Sequence, residues 1–205
     1  MTDVQALATD ILHRASSVER LVVAIAGPPA AGKSTLAAQL ADSLAARSRV
    51  AVVAQDGFHY DNAILDARGQ RAVKGAPQTF DVSGFAQLLS RLKAQSTTLA
   101  VPVFDRALDL SRNCAALVEP DDRIVLVEGN YLLVDRDPWR ELAAYFDYSI
   151  LLQVPLDTLR QRLVQRWLDH DHTPEQAADR AAANDLPNAE YVVAHSANAD
   201  LILAD

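Results

Sequence analysis

Gly27, Pro28, Pro29, Ala30, Ala31, Gly32, Lys33 and Ser34 match the spacing G-x-x-x-x-G-K-S/T at every fixed position, and Thr35 follows without a gap. A phosphate chain can be wrapped only where backbone N–H groups converge and no side chain intervenes. Gly27 and Gly32 permit that approach, with Ala30, Ala31 and Thr35 supplying further backbone. A helix that starts near Lys33 adds free N–H groups and its positive end. Lys33 then reaches β- and γ-phosphates, and the Ser34 hydroxyl can ligate Mg²⁺. Two carboxylates follow apolar runs further along the chain. Asp56 stands just after Arg49–Ala54, and Glu128 directly after Ile124–Val127. Asp56 can take a proton from a hydroxyl, hold water on Mg²⁺, or simply cap a turn at Gly57; a phosphate loop upstream favours the chemical roles. Glu128 can support the metal or pair with a nearby cation, and its place at the end of a buried strand favours the metal.

These residues need strands that end together. Leu21–Ala26 is an apolar run of strand length, and Leu36, Leu40 and Leu44 recur at helical spacing after the glycine loop. Tyr148–Val154 and Leu201–Leu203 read as further strands. Open α/β sheets bind ligands beyond the carboxyl ends of such strands, which is where Gly27, Asp56 and Glu128 fall. Leu99–Phe104 reads as a strand that Pro102 confines to an edge, with Cys114–Val118 as its hairpin partner. Asp105 and Arg106 lie between them, either as a solvated hairpin end or as a charged lip over a pocket. Lys74–Asp81 reads as an ordered loop carrying a positive charge and an aromatic. Ser83 is expected to cap a helix to Ala94.

A helix opened by Pro155 places Leu156, Leu159, Leu163 and Trp167 on one side. Arg162 and Arg166, four residues apart, share another face. Arginine suits a phosphoryl group whose charge is redistributing, so this helix is a candidate lid. Asp169–His172 carries two histidines only two residues apart, with nothing nearby to complete a tetrahedral metal set. A polar turn before the helix at Pro174 is the expected reading.

The 205 residues suit a single domain, 1–205, with an acceptor and hairpin region at about 57–118 and a lid at about 160–176. Half of the chain (50%) is hydrophobic, enough for a large core, and the net charge of −8 argues against a general nucleic-acid surface. Cys114, the single cysteine, excludes an internal disulfide and is expected to be a small packing residue. The first residues show no signal-peptide pattern. They show an amphipathic helix through Val4, Leu7, Ala8, Ile11, Leu12 and Ala15, capped by Thr2 or Asp3. With no apolar stretch of membrane-spanning length, the expectation is a cytoplasmic protein that acts on a small molecule, without nucleic acid or membrane partners. A homodimer is left open.

With these residues assembled, the chain resembles the uridine kinase, phosphoribulokinase and bacterial pantothenate kinase superfamily of phosphate-loop kinases. The likeness runs from about Leu21 to Leu203. Within the group it is most similar to small kinases associated with fructose transport systems, on the wording DGFH, GAPQTFD, EGNYLL and NDLPNA. The resemblance implies a three-layer α/β fold with a parallel five-stranded core sheet in order 2-3-1-4-5, an added β-hairpin and a helical lid. It implies ATP and Mg²⁺ as cofactors and transfer of the γ-phosphoryl group to a hydroxyl. A sugar is the first-choice acceptor, with a nucleoside or pantothenate-like alcohol as alternatives. The roles it implies are Asp56 as base, Lys33 on the phosphates, Ser34 and Glu128 at the metal, and Arg166 on the transferring group, with Arg162 as the other lid arginine. His59, Lys74, Phe80, Asp81, Asp105, Arg106 and Tyr131 would face the acceptor, and Asn188 would lie near the adenine. Against a guanine-nucleotide switch, none of Lys33, Lys74 and Lys93 sits in an N-K-x-D motif. A regulator that binds nucleotide without turnover is the remaining rival.

Overall fold

The computed structural model describes residues 3–94 and 97–205. Its strands are β1 (Leu21–Ala26), β2 (Val50–Ala54), β3 (Leu99–Asp105), β4 (Leu110–Val118), β5 (Ile124–Gly129), β6 (Tyr148–Gln153) and β7 (Leu201–Ala204). Its α-helices are α1 (Val4–Ala15), α2 (Lys33–Ala45), α3 (Asn62–Ala67), α4 (Val82–Ala94), α5 (Leu156–Leu168), α6 (Pro174–Arg180) and α7 (Leu186–His195). The five-stranded sheet runs β2-β5-β1-β6-β7, and its described pairings are parallel. Counting core strands alone, this is the expected order 2-3-1-4-5.

β1 and β5 are buried along their whole length, as strands covered on both faces must be. Alternate residues serve opposite cores. Val22, Ala24, Val125 and Val127 face α4 and a group of aromatics, while Val23, Ile25, Ile124 and Leu126 face α1 and α2. Register then fixes the working edge. Ile25 and Ala54 both pair with Glu128, so Gly27, Asp56 and Glu128 emerge side by side from three adjacent strands.

The hairpin β3–β4 is a separate two-stranded antiparallel sheet whose register shifts between Val101 and Val103, at Pro102. β4 begins at Leu110, earlier than the expected Cys114. Cys114 itself is exposed, with a left-handed φ of 52°, so it is not the packing residue expected. At α1, Asp3 provides the cap by accepting from the Gln5 and Ala6 N–H groups, while Thr2 lies outside the described residues. The cap of α4 is Asp81, which accepts from the Gly84 N–H at 2.9 Å, and Ser83 falls inside the helix.

Beyond β6 the chain folds into a helical unit of α5, α6, a π-helical turn at Ala181–Asp185, and α7. Leu159, Leu163, Leu186 and Ala189 form its core against Ala31 of the glycine loop, while Leu156 is exposed. Asp169–His172 is the turn between α5 and α6, and Thr173 is the cap, in a capping box with Gln176. Among the described residues, no helix is long and apolar enough to cross a membrane.

Candidate active site

The loop Gly27–Gly32 joins β1 to α2. Ala30 (φ 63°) and Gly32 (φ 94°) take left-handed conformations, which turn successive backbone N–H groups inward. Lys33 opens α2 and is 8% exposed. Its Nζ donates to the Pro28 carbonyl at 2.9 Å, across the mouth of the loop. Burial pushes the Lys33 ammonium down to about 8, against the opposing pull of Glu128 and Asp56; the charges of Arg106 and Arg166 push it the same way as burial. That set of mutual influences shows which side chains share one field: Lys33, Glu128, Asp56, Arg106 and Arg166.

Ser34 Oγ donates to Glu128 Oε1 at 3.2 Å. Burial raises the Glu128 carboxyl, and Lys33 acts in the other sense. Hydroxyl and carboxylate oxygens are the donors that Mg²⁺ prefers, and the ion habitually keeps waters and phosphate oxygens as its other ligands. The residues present therefore fit that ion when nucleotide accompanies it. No group of three or more His, Cys, Asp and Glu forms a self-sufficient metal site among the described residues.

Asp56 sits in a 3₁₀ turn at Gln55–Phe58, one residue beyond the start of that turn. Arg106 reaches it from the tip of the hairpin, Nη2 to Oδ2 at 3.2 Å. Arg106 thus stands against Asp56, while Asp105 turns to the hairpin itself. Asp105 caps the hairpin tip by accepting from Ala107 and Leu108 N–H and pairs with Arg112 at 3.4 Å.

His59 Nδ1 hydrogen-bonds the Asp56 carbonyl at 2.7 Å. Its ring packs at a tilt against Phe80 (4.0 Å) and Phe104 (4.8 Å). Lys74 is engaged with Asn62 Oδ1 (2.7 Å) and with the carbonyl and carboxylate of Asp109 (2.6 and 2.9 Å). Burial alone would raise the Asp109 carboxyl, but Lys74 holds it below its ordinary range. The Tyr131 hydroxyl donates to the Gly75 carbonyl at 2.6 Å, and its own ionisation is pushed up by burial.

Phe80 packs edge to face on both Tyr131 and Trp139, and Tyr131 and Trp139 meet at a tilt, making one aromatic cluster. A cavity of about 960 Å³ lies along the loop 76–81 and α4, with Phe80, Asp81, Trp139 and Asn188 in its lining. Asn188 is buried, and its Nδ2 donates to Asn184 Oδ1 at 3.1 Å.

In the lid, Arg166 Nη2 donates to Asp185 Oδ1 at 2.9 Å, and Trp167 Nε1 donates to Asp185 Oδ2 at 2.7 Å. Arg162 pairs with Asp205 and points Nη1 at the Ala30 carbonyl at 3.5 Å, on the rim of the glycine loop.

Two residues here carry no spacing signal. Gln55 is fully buried, its Oε1 accepting from the Tyr131 N–H at 2.9 Å. A Cβ on Gly129 would stand 2.3 Å from that same oxygen, so Gly129 makes room for it. An amide closing an apolar strand was the available clue. Asp185 had none, since its partner Arg166 lies in another helix.

A family model described as an AAA domain matches residues 22–185. The "Uncharacterized protein YggC" of Escherichia coli is 36% identical over 196 residues, spanning 94% of this chain and 81% of that protein. A Schizosaccharomyces pombe protein named "Putative uridine kinase" is 34% identical over 195 residues, spanning 90% and 83%. The solved structure of a "putative fructose transport system kinase" from Silicibacter sp. TM1040 is 45% identical. It covers 99% of this chain and 100% of its own at a TM-score of 0.94. The chain belongs to that AAA domain family of phosphate-loop kinases, with a protein named a putative uridine kinase among its relatives.

Proposed function

We propose that this protein transfers the γ-phosphoryl group of ATP to a hydroxyl of a small metabolite, and that the metabolite is a sugar. The observation that carries this reading is the convergence of Asp56 and Arg106 with Lys33 and Glu128. A carboxylate from one strand end and an arginine from the hairpin share the field of the phosphate-loop lysine. The name of the Silicibacter protein supports a ketohexose as the first acceptor to try.

In this reading the glycine loop and Lys33 hold the phosphate chain, and Ser34 and Glu128 would hold Mg²⁺. When bound, the ion would neutralise charge developing between the β- and γ-phosphates. Asp56 receives the proton of the acceptor hydroxyl as its oxygen bonds to phosphorus. Arg106, paired with that carboxylate at 3.2 Å, aims it. Arg166 stabilises the equatorial oxygens from the lid side, and the acceptor loop with His59 and Phe80 excludes water. Positioning and charge, more than covalent chemistry, supply the rate.

Acceptor-dependent ADP release tests this, with ketohexoses, aldohexoses, pentoses, ribonucleosides and pantothenate offered to wild type and to Asp56→Asn. Release with one acceptor class is expected, lowered roughly 10²–10⁴-fold in the variant, the range for loss of a general base. Release indifferent to every acceptor and to the variant would refute the kinase mechanism and favour a nucleotide-binding regulator.

A further inference from the structure

The π-helical turn Ala181–Asp185 ends in two polar residues that face different parts of the site. Asp185 is 9% exposed and holds both Arg166 and Trp167 of α5. Asn184, its neighbour, donates from Nδ2 to the Lys74 carbonyl at 2.7 Å. The next carbonyl, that of Gly75, accepts from the Tyr131 hydroxyl at 2.6 Å, and Tyr131 lies three residues beyond Glu128. The Lys74 ammonium is fixed by Asn62 and Asp109. The peptide Lys74–Gly75 is thus gripped from the lid, from the end of β5 and from the hairpin. Gly75 has a φ of +100°, so the chain reverses at that grip.

π-Helical turns insert one extra residue into a helix and recur at functional sites. Consecutive side chains on a helical turn point in different directions, so Asn184 meets the loop at Lys74 while Asp185 meets α5. An arginine and an indole N–H on one buried carboxylate also leave that carboxylate little freedom, since each donor fixes a different oxygen. A displacement of Lys74 is therefore passed through two adjacent residues to the guanidinium.

We propose that Asn184 and Asp185 are positioning residues that couple the acceptor loop to Arg166. Asn184 registers where Lys74–Gly75 stands, and Asp185 sets the guanidinium of Arg166 accordingly. The coupling rests on the kinase reading above and deepens it. A seated acceptor loop brings the lid arginine to its working place, and nucleotide engaged by Arg166 in turn orders the acceptor loop. Such reciprocity follows from linkage between two sites that share one element.

The test is hydrogen exchange of residues 74–80 with and without the non-hydrolysable Mg-ATP analogue Mg-AMPPNP, which offers Arg166 a γ-phosphate, alongside Mg-AMPPNP affinity by calorimetry. Wild type is expected to show protection of 74–80 on nucleotide binding. Asn184→Ala and Asp185→Asn are expected to lose that protection while Mg-AMPPNP affinity changes by no more than about 3-fold, the scale of a lost indirect contact. Thr173→Ala, which removes the cap of α6 without touching the turn, is the control for a loosened lid and should keep the protection. Protection that survives both Asn184→Ala and Asp185→Asn, or that Thr173→Ala abolishes equally, overturns the coupling. Binding of Mg-AMPPNP without protection in wild type overturns the coupling and leaves the kinase reading standing. Absence of Mg-AMPPNP binding in wild type removes both.

Discussion

Lys33 and Glu128 are both drawn toward their neutral forms by burial, and each is partly restored by the other. Two charges kept from water in this way act on a phosphate with little screening. His59 is the neighbouring group that feels the same dryness without a compensating pair. It packs against two phenylalanine rings, and burial lowers its imidazole below the ordinary 6.5. Asp56 and Asp109 pull it back up, while Lys74 pushes it further down. Below pH 6.5 the unfolded chain takes up a proton that folded His59 resists, so the unfolded state binds more protons in that window. Stability contributed at this site is present at higher pH. It falls as pH drops from 6.5 toward the depressed folded value. Thermal melting followed from pH about 7.5 to about 5 should therefore show a smaller acid-side loss in His59→Gln than in wild type. Parallel curves for the two proteins would remove His59 from the account.

At the scale of elements, the 3₁₀ turn that carries Asp56 is clamped on the hairpin. Ser111 Oγ donates to the Gly57 carbonyl, and a Cβ on Gly57 would stand 2.5 Å from the Pro102 carbonyl oxygen. Backbone meets backbone there, so neither side can yield by rotating a side chain. Gly57→Ala must push the turn off β3 and carry Asp56 away from Arg106. The expected cost is about 1–3 kcal/mol of stability, typical of overpacking. A denaturant melt should show it, together with a fall in kcat larger than the fall in ATP affinity. An unchanged melt would mean that the turn moves freely.

The same elements explain what the sequence disclosed. The glycine loop, the buried strands and the strand-end carboxylates are local signals, set by a few consecutive residues and by burial, and they lie where their spacing placed them. The cap at Asp81 in place of Ser83 and the exposure of Cys114 on a left-handed residue were not legible. Each depends on backbone reversals or on contacts between segments distant in the chain. The pairing of Arg166 with Asp185 is of the same kind, since it joins α5 to a separate turn 19 residues further on.

For the molecule as a whole, the two faces of the sheet carry different obligations. One core, built on Val23, Ile25, Ile124 and Leu126, packs against α1 and α2 and holds Ile11 fully buried, away from the acceptor loop. The other includes Phe80, Tyr131 and Trp139; Phe80 and Trp139 line the cavity, and Tyr131 packs on both. Removing volume from either face should cost stability, but only the second should disturb function. Ile11→Ala is expected to lose about 2–5 kcal/mol, the range for a large aliphatic side chain cut back in a core. Its KM for ATP and for the acceptor should stay within about 2-fold of wild type, because distant sites act additively. Trp139→Leu deletes an aromatic ring from that lining and should cost a comparable amount. It should also raise the acceptor KM several-fold while leaving that for ATP alone, since Phe80 and Tyr131 both lean on the indole. Melts and initial rates on the two variants separate the faces. Equal losses of acceptor affinity would mean that the sheet transmits core damage to the site from either side, and that the division between a stabilising face and a working face does not hold.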